Sequence, residues 1–412
     1  MKIAQVLEAM QAGRDMDHPL ESVRLYYDLM ARYYARIEEA ERTHHRPLVI
    51  LGIYTPIELF YAMDIVPCHA ELHAMNAACL GGCQGYFDTA AAYGTPIEAC
   101  SIQRAMIGMA KGGLLPTPDF IVSAAGVCDS EVKSLEVLVK HFGCPYFLTD
   151  MPYQGDPAGV AYYLKELEAL VPFLESQTGR PLDWGRLEET VELSRQAAVL
   201  YRQVNEARKA CPSPMRNQDF FNMCTVYAMM AGTQEAVDYF EVVAREVREQ
   251  VEGKRPPLRP QERFRLSCAF CFPAFSPELL NWMEQEHGAA IAIDLVNYWR
   301  GEEEMDARRP LESLAKKAFY LPLAMPFIGP VENWSRSVIE MGRGYSLDGS
   351  IFFAPVTCKE GCATIRILKD RMREEAGIPT LVADCDMIDP SVVSEEELKG
   401  KLEGFFETLE AR

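Results

Sequence analysis

The 412-residue chain contains no stretch of roughly 18 uninterrupted apolar residues, the length a membrane-spanning helix needs. Its best run, LVILGIYTPIELFYAM, is broken by Pro56 and Glu58. Positive charge is also scarce: 41 basic residues stand against 60 acidic ones, a formal net charge of -19. That balance argues against nucleic acid or an anionic membrane as a partner. No GxxxxGK[ST] loop occurs and no GxGxxG follows the first strand candidate, so nucleotide binding within the chain has no support. A GxSxG elbow is missing as well, which removes one acyl-transfer signature. The start, MKIAQVLEAMQAGRDMDHP, places acidic residues early and has no apolar block with a small-residue cleavage site. A secretory leader is therefore not expected, and a cytoplasmic protein is.

What the chain does have is 49% hydrophobic and 25% charged residues, the balance of a globular protein. Its length suggests two or three domains, each able to bury a core. Thirteen cysteines, an odd number, read as reduced thiols or metal ligands rather than a disulfide framework.

Along the first third, apolar runs alternate with helical patterns. RPLVILGIY predicts a strand ending near Ile53, and TPIELFYAM a helix with Thr55 as its cap and Pro56 in its first turn. IVPCHAEL, PDFIVSAAG and CPYFLTD read as further strands, TPIEACSIQRAMIGMAKGG and SEVKSLEVLVKHFG as helices. From about residue 156 three long periodic helices follow without β runs, and the proline-rich GKRPPLRPQE ends them. The strand rhythm then resumes with RFRLSCAF, AAIAID, GSIFFAP and IPTLVAD, and a last helix is capped by Ser394 with Glu397 three residues on. The expected fold is α/β: two doubly wound, Rossmann-like parallel-sheet lobes, residues 1–150 and 261–412, around a helical middle subdomain and linker, 151–260. In such sheets ligands bind beyond the carboxyl ends of the strands.

Cysteines stand at those ends. Cys128 closes PDFIVSAAGVC where a charged helix begins, and Cys358 follows GSIFFAPV in the same way. Unpaired N–H groups at a helix start favour a thiolate there. With Cys100 of TPIEACSIQRAMIG they form a trio that would face the cleft between the lobes. Converging thiolates need a cation, and soft sulfur selects an iron–sulfur cluster or zinc. Free cysteine is equally at home as a buried apolar residue, and the chain lacks a compact CxxCxxC run. Cys268 and Cys271 form a CxxC, Cys358 and Cys362 a CxxxC, and either could join a metal site or merely pack. His69 and His73 are four apart in a strand-like stretch, and Cys79 and Cys83 read as small residues of a Gly-rich loop.

GIYTPIELFYAMDIVP, EACSIQRAMIG, PDFIVSAAGVCDSEVK, SPMRNQDFFNM, DGSIFFAPVTCK and GIPTLVADCDMIDP, in that order, resemble the 2-hydroxyacyl-CoA dehydratase and benzoyl-CoA reductase family over nearly the whole length. The resemblance implies an enzyme subunit holding a [4Fe–4S] cluster in the cleft by Cys100, Cys128 and Cys358, with one iron open. It implies three partners: a homologous iron–sulfur subunit in a hetero- or homodimer, an ATP-dependent activator that supplies low-potential electrons, and an acyl-CoA substrate. The chemistry implied is a ketyl radical that expels a β-positioned leaving group or lets an aromatic ring be reduced. Some dehydratase subunits carry a serine near the first strand end that contacts substrate. Here the segment reads Gly52, Ile53, Tyr54, Thr55, so Tyr54, Thr55 and Glu58 are the candidate catalytic residues, or the chain is an electron-relay subunit without a substrate. A third alternative is a double-cubane [8Fe–9S] relative drawing on Cys268, Cys271, Cys362 or Cys385.

Overall fold

The computed structural model describes residues 1–298, 305–321 and 327–412. Two helices, α1 (Ile3–Arg14) and α2 (Glu21–Thr43), lead into the first sheet. Its elements are β1 (Leu48–Leu51), α3 (Ile57–Ala62), β2 (Val66–His69), α4 (Ala70–Cys79), α5 (Gln84–Tyr93), α6 (Ser101–Lys111), β3 (Phe120–Ala125), α7 (Asp129–Phe142) and β4 (Tyr146–Asp150). Four helices follow: α8 (Pro157–Thr178), α9 (Trp184–Ala207), α10 (Asp219–Met230) and α11 (Gln234–Val251). The second sheet is built from β5 (Phe264–Cys268), α12 (Pro277–His287), β6 (Ala289–Asp294), α13 (Pro310–Tyr320), α14 (Val331–Gly344), β7 (Gly349–Pro355), α15 (Lys359–Ala376) and β8 (Thr380–Cys385), and α16 (Glu395–Glu410) closes the chain.

Both sheets are parallel and share one plan. The strand orders are β2-β1-β3-β4 and β6-β5-β7-β8, so each chain segment starts in the middle, steps to one side, then crosses back. The direction of winding reverses between β1 and β3 and again between β5 and β7, and the loops at such a reversal leave a crevice open. Central strands are buried along their whole length, as sheets covered on both faces require, whereas the edge strands β4 and β8 are largely half-exposed.

Several buried polar contacts fix the lobes to each other and to the helices between them. Arg104 on α6 pairs with Asp389, just past β8, at 2.8 Å, with both side chains buried. Asn217, ahead of α10, donates to the carbonyls of Leu280 and Ala289 and accepts from the Ile291 N–H, tying the middle helices to the second sheet. Arg208 and Asp294 form a fully buried pair at 3.0 Å.

The elements depart from sequence expectation in three places that matter to the site. β1 ends at Leu51, because Gly52 leaves the strand where any Cβ would collide with the Glu131 carboxylate. The cap of α3 is Pro56 rather than Thr55, whose N–H instead closes a turn onto the Gly52 carbonyl. The helix expected from Thr95 starts only at Ser101: the Pro96–Ala99 turn does not propagate, and Cys100 takes an extended ψ of 130°.

Candidate functional site

Cys100, Cys128 and Cys358 are the N-cap residues of α6, α7 and α15. All three line one cavity of about 110 Å³ at the ends of β1, β3, β5 and β7. Cys128 and Cys358 occupy equivalent places in the two lobes, each just past the strand beside the reversal point. The neutral thiols make no cap hydrogen bond. Yet the third amide of each helix, Gln103, Glu131 and Gly361, acts on the sulfur in the direction that favours thiolate. Burial outweighs that help: it pushes Cys358 up to about 11, and Cys100 and Cys128 further still. Neighbouring thiols add to the effect, Cys358 on Cys100 and Cys100 on Cys128. Three thiolates can coexist here only against a cation, and sulfur donors suit iron–sulfur or zinc chemistry. Among the described residues no group of three or more His, Cys, Asp or Glu side chains is placed to hold a single metal ion. A cubane distributes its thiolates over separate irons, so the donor set fits a cluster better than one ion.

Two carboxyl groups stand beside the cysteines. Glu71 on α4 lines the cavity, accepts the Ile53 N–H at 3.3 Å and takes the Gln103 amide on its other oxygen. Burial pushes it up to about 7. Glu131 is fully buried behind Gly52 with neither oxygen paired among the described residues, and burial together with Glu71 drives it well above the usual carboxylate range. Neither stands out in the sequence: Glu131 reads there as an ordinary first-turn acid of α7.

Tyr54 lines this cavity and also a second, smaller one of about 50 Å³. Thr55 faces the second cavity, and its buried hydroxyl has no partner among the described residues. Glu58 reaches neither. It is fully buried on α3, where Lys317 of α13 and the Ser194 hydroxyl both donate to its Oε1. A carboxylate so engaged balances a buried ammonium rather than meeting a ligand.

The remaining sequence candidates separate cleanly. Cys271 lines the cysteine cavity, as does Cys224, which sits mid-helix in α10 with no motif around it to draw notice. Cys268 donates its thiol to the Phe270 carbonyl and Cys362 to that of Pro355; neither they nor Cys385 line the cavity. Cys79 ends α4 and Cys83 caps α5, so the expected Gly-rich loop shrinks to the few residues between them. His69 closes β2 and His73 lies one turn into α4, both buried, with the His73 ring against the Met1 carbonyl at 3.2 Å. No described helix is long and apolar enough to cross a membrane.

Fold and cavity together define a doubly wound α/β protein whose two reversal points share a thiol-lined interior. The family profile described as 2-hydroxyglutaryl-CoA dehydratase, D-component, matches residues 52–409, and the chain belongs to that family. It is similar to the (R)-phenyllactyl-CoA dehydratase alpha subunit of Clostridium sporogenes, 24% identical over 87% of this chain and 88% of the relative. It is also similar to the (R)-2-hydroxyisocaproyl-CoA dehydratase alpha subunit of Clostridioides difficile, 21% identical over 93% and 95%. A benzoyl-CoA reductase subunit of Thauera aromatica is 23% identical over 86% and 87%.

Proposed function

We propose that this chain is the iron–sulfur subunit of a CoA-thioester dehydratase or reductase, working with a homologous partner subunit and an ATP-dependent activator in the cytoplasm. The observation that carries the reading is the convergence of three helix-capping cysteines, Cys100, Cys128 and Cys358, on one cavity built by both lobes. A [4Fe–4S] cluster held by three thiolates would supply one-electron transfer and Lewis acidity at the same place.

The chain's own residues supply the rest. The α6, α7 and α15 amides favour the thiolate form of each cysteine. Apolar walls, among them Leu72, Met75, Phe221, Phe270 and Phe272, exclude water from reactive species. Glu71, fixed by Ile53 and Gln103, holds a proton to near neutral pH within the cavity that would receive the thioester. Thr55 offers a hydroxyl that is unpaired among the described residues, beside Tyr54 in the segment where some related subunits use a serine.

One observation favours the relay reading: Cys271 brings a fourth thiol from the end of β5 into the same cavity, and a fourth sulfur ligand would close the open position. Anaerobically purified protein decides between them. About four irons per chain, a spectrum that changes on adding acyl-CoA, and activator-dependent turnover with the partner subunit support the proposal. Four irons with a spectrum indifferent to acyl-CoA would favour the relay, and about eight a double cubane.

A further inference from the structure

The two cavities share a wall. Ile53, Tyr54, Cys224 and Val296 line both, so the space among the cysteines and the second chamber adjoin. That second chamber lies between α3, α9, α10 and α13 and is walled mostly by Ile57, Tyr201, Leu314, Ala318 and Leu321, with Thr55 beside them. Its volume of about 50 Å³ leaves room for roughly three to five water-sized groups at about 10–15 Å³ each. A pantetheine arm, with two amides to satisfy, would find little beyond the Thr55 hydroxyl at the mouth shared with Tyr54, whereas a short hydrocarbon would need no partner.

Charge narrows the choice further. Lys317 is the one cation in the described lining, and its ammonium is already engaged by Glu58, which is fully buried and also held by Ser194. The pair is neutral as a unit. A carboxylate entering the chamber would bring an uncompensated negative charge next to Glu58, at the cost that burying any unpaired ion carries.

We infer that the second chamber receives the acyl side chain of the thioester, and that the side chain it selects is uncharged and aliphatic, a few carbons long. This rests on the thioester reading above and adds what that reading leaves open, the chemical class of the acyl group. It assigns Leu314, Ala318 and the Glu58–Lys317 pair as specificity-determining residues, none of which touches the cysteines.

The test is equilibrium binding by anaerobic calorimetry on the cluster-loaded full chain. Two probes share one skeleton: 4-methylpentanoyl-CoA, and succinyl-CoA, in which a carboxylate replaces the terminal isopropyl group. Acetyl-CoA, too short to fill the chamber, is the reference. The branched thioester should bind at least about tenfold more tightly than succinyl-CoA, a difference of about 1.4 kcal/mol. Ala318→Phe, which fills the chamber, should weaken 4-methylpentanoyl-CoA about tenfold more than it weakens acetyl-CoA. Succinyl-CoA binding as tightly as the branched thioester, or Ala318→Phe affecting both uncharged probes alike, overturns the inference while leaving the thioester reading intact. If none of the three binds, acetyl-CoA included, the thioester reading itself fails and this inference with it.

Discussion

The backbone N–H of Ser101 donates to Thr357 Oγ1 at 3.2 Å, so the residues next to Cys100 and Cys358 are joined directly across the two lobes. Thr357 in turn donates to Asp386 Oδ2 at 2.6 Å, and Asp386 is held by the N–H groups of Ile388 and Asp389. Because all these groups are buried, Thr357→Val leaves a donor and an acceptor unsatisfied, at about 1–3 kcal/mol. The variant should fold with a lowered Tm and retain less than about half the iron of the native chain after anaerobic reconstitution, and Thr357→Ser should restore both. Full iron in the valine variant would reduce this bond to a lobe contact without influence on the cysteines.

Replacing Cys100, Cys128 or Cys358 by serine should abolish retention of the cluster while the apoprotein stays folded, since serine nearly preserves the volume. Cys79, Cys83, Cys144, Cys268, Cys362 and Cys385 lie outside the cavity and should tolerate serine with iron content unchanged. Iron and sulfide analysis of each variant reads the result directly. Loss of about half the iron in Cys271→Ser, with a residual cluster, would point instead to a second cubane.

Glu58→Gln removes one half of a buried pair and strands the Lys317 ammonium, which costs about 3–5 kcal/mol. Adding Lys317→Met should recover much of that loss, because the double variant buries no unpaired charge. Chemical denaturation of the single and double variants measures the coupling, and simple additivity would show that the two groups do not depend on each other.

His69 and His73 are buried, and desolvation pushes both down to about 4. A depressed histidine leaves the folded chain binding fewer protons than the unfolded one, whose imidazole titrates near 6.5. Its contribution is therefore complete above about 6.5 and is lost as pH falls through about 4. Glu71, pushed up to about 7, works in the opposite sense, contributing below its unfolded value and losing that contribution as pH rises through 7. The two trends oppose each other in the native chain, and Glu131, also raised, acts in the same sense as Glu71, so a variant is needed to separate them. His73→Phe should make the stability difference between pH 7 and pH 5 smaller by about 1–2 kcal/mol in urea unfolding. An unchanged difference would mean that this ring binds its proton equally well in the folded and unfolded chain.

The strands were legible because parallel sheets bury both faces: AAIAID and GSIFFAP are largely apolar runs bounded by turns, RFRLSC alternates polar and apolar residues, and each forms a parallel strand, with one register shift between Leu266 and Ser267. Cys128 and Cys358 were legible for a related reason, since an apolar run giving way to a charged periodic stretch marks the point where strand becomes helix. Cys100 was harder to place, because TPIEA is as compatible with a helix as the residues after it, and only the extended backbone at Cys100 separates the two. The Glu58–Lys317 pair spans 259 positions and joins helices of different lobes, so no local pattern announces it. Glu131 shows the limit most simply: a first-turn glutamate belongs on the surface, and only the packing of α7 against Gly52 takes it inside.

The repeated strand order has a consequence for how such a chain can diversify. In both lobes a long excursion separates the second strand from the third, but the excursions have taken different work: Cys100 comes from the first, between β2 and β3, while Leu314, Lys317 and Ala318 come from the second, between β6 and β7. On the proposed function, two lobes of one plan with unequal duties would let a related chain take a different acyl group through changes in α13 alone. The cysteines that cap α6, α7 and α15 would stay as they are.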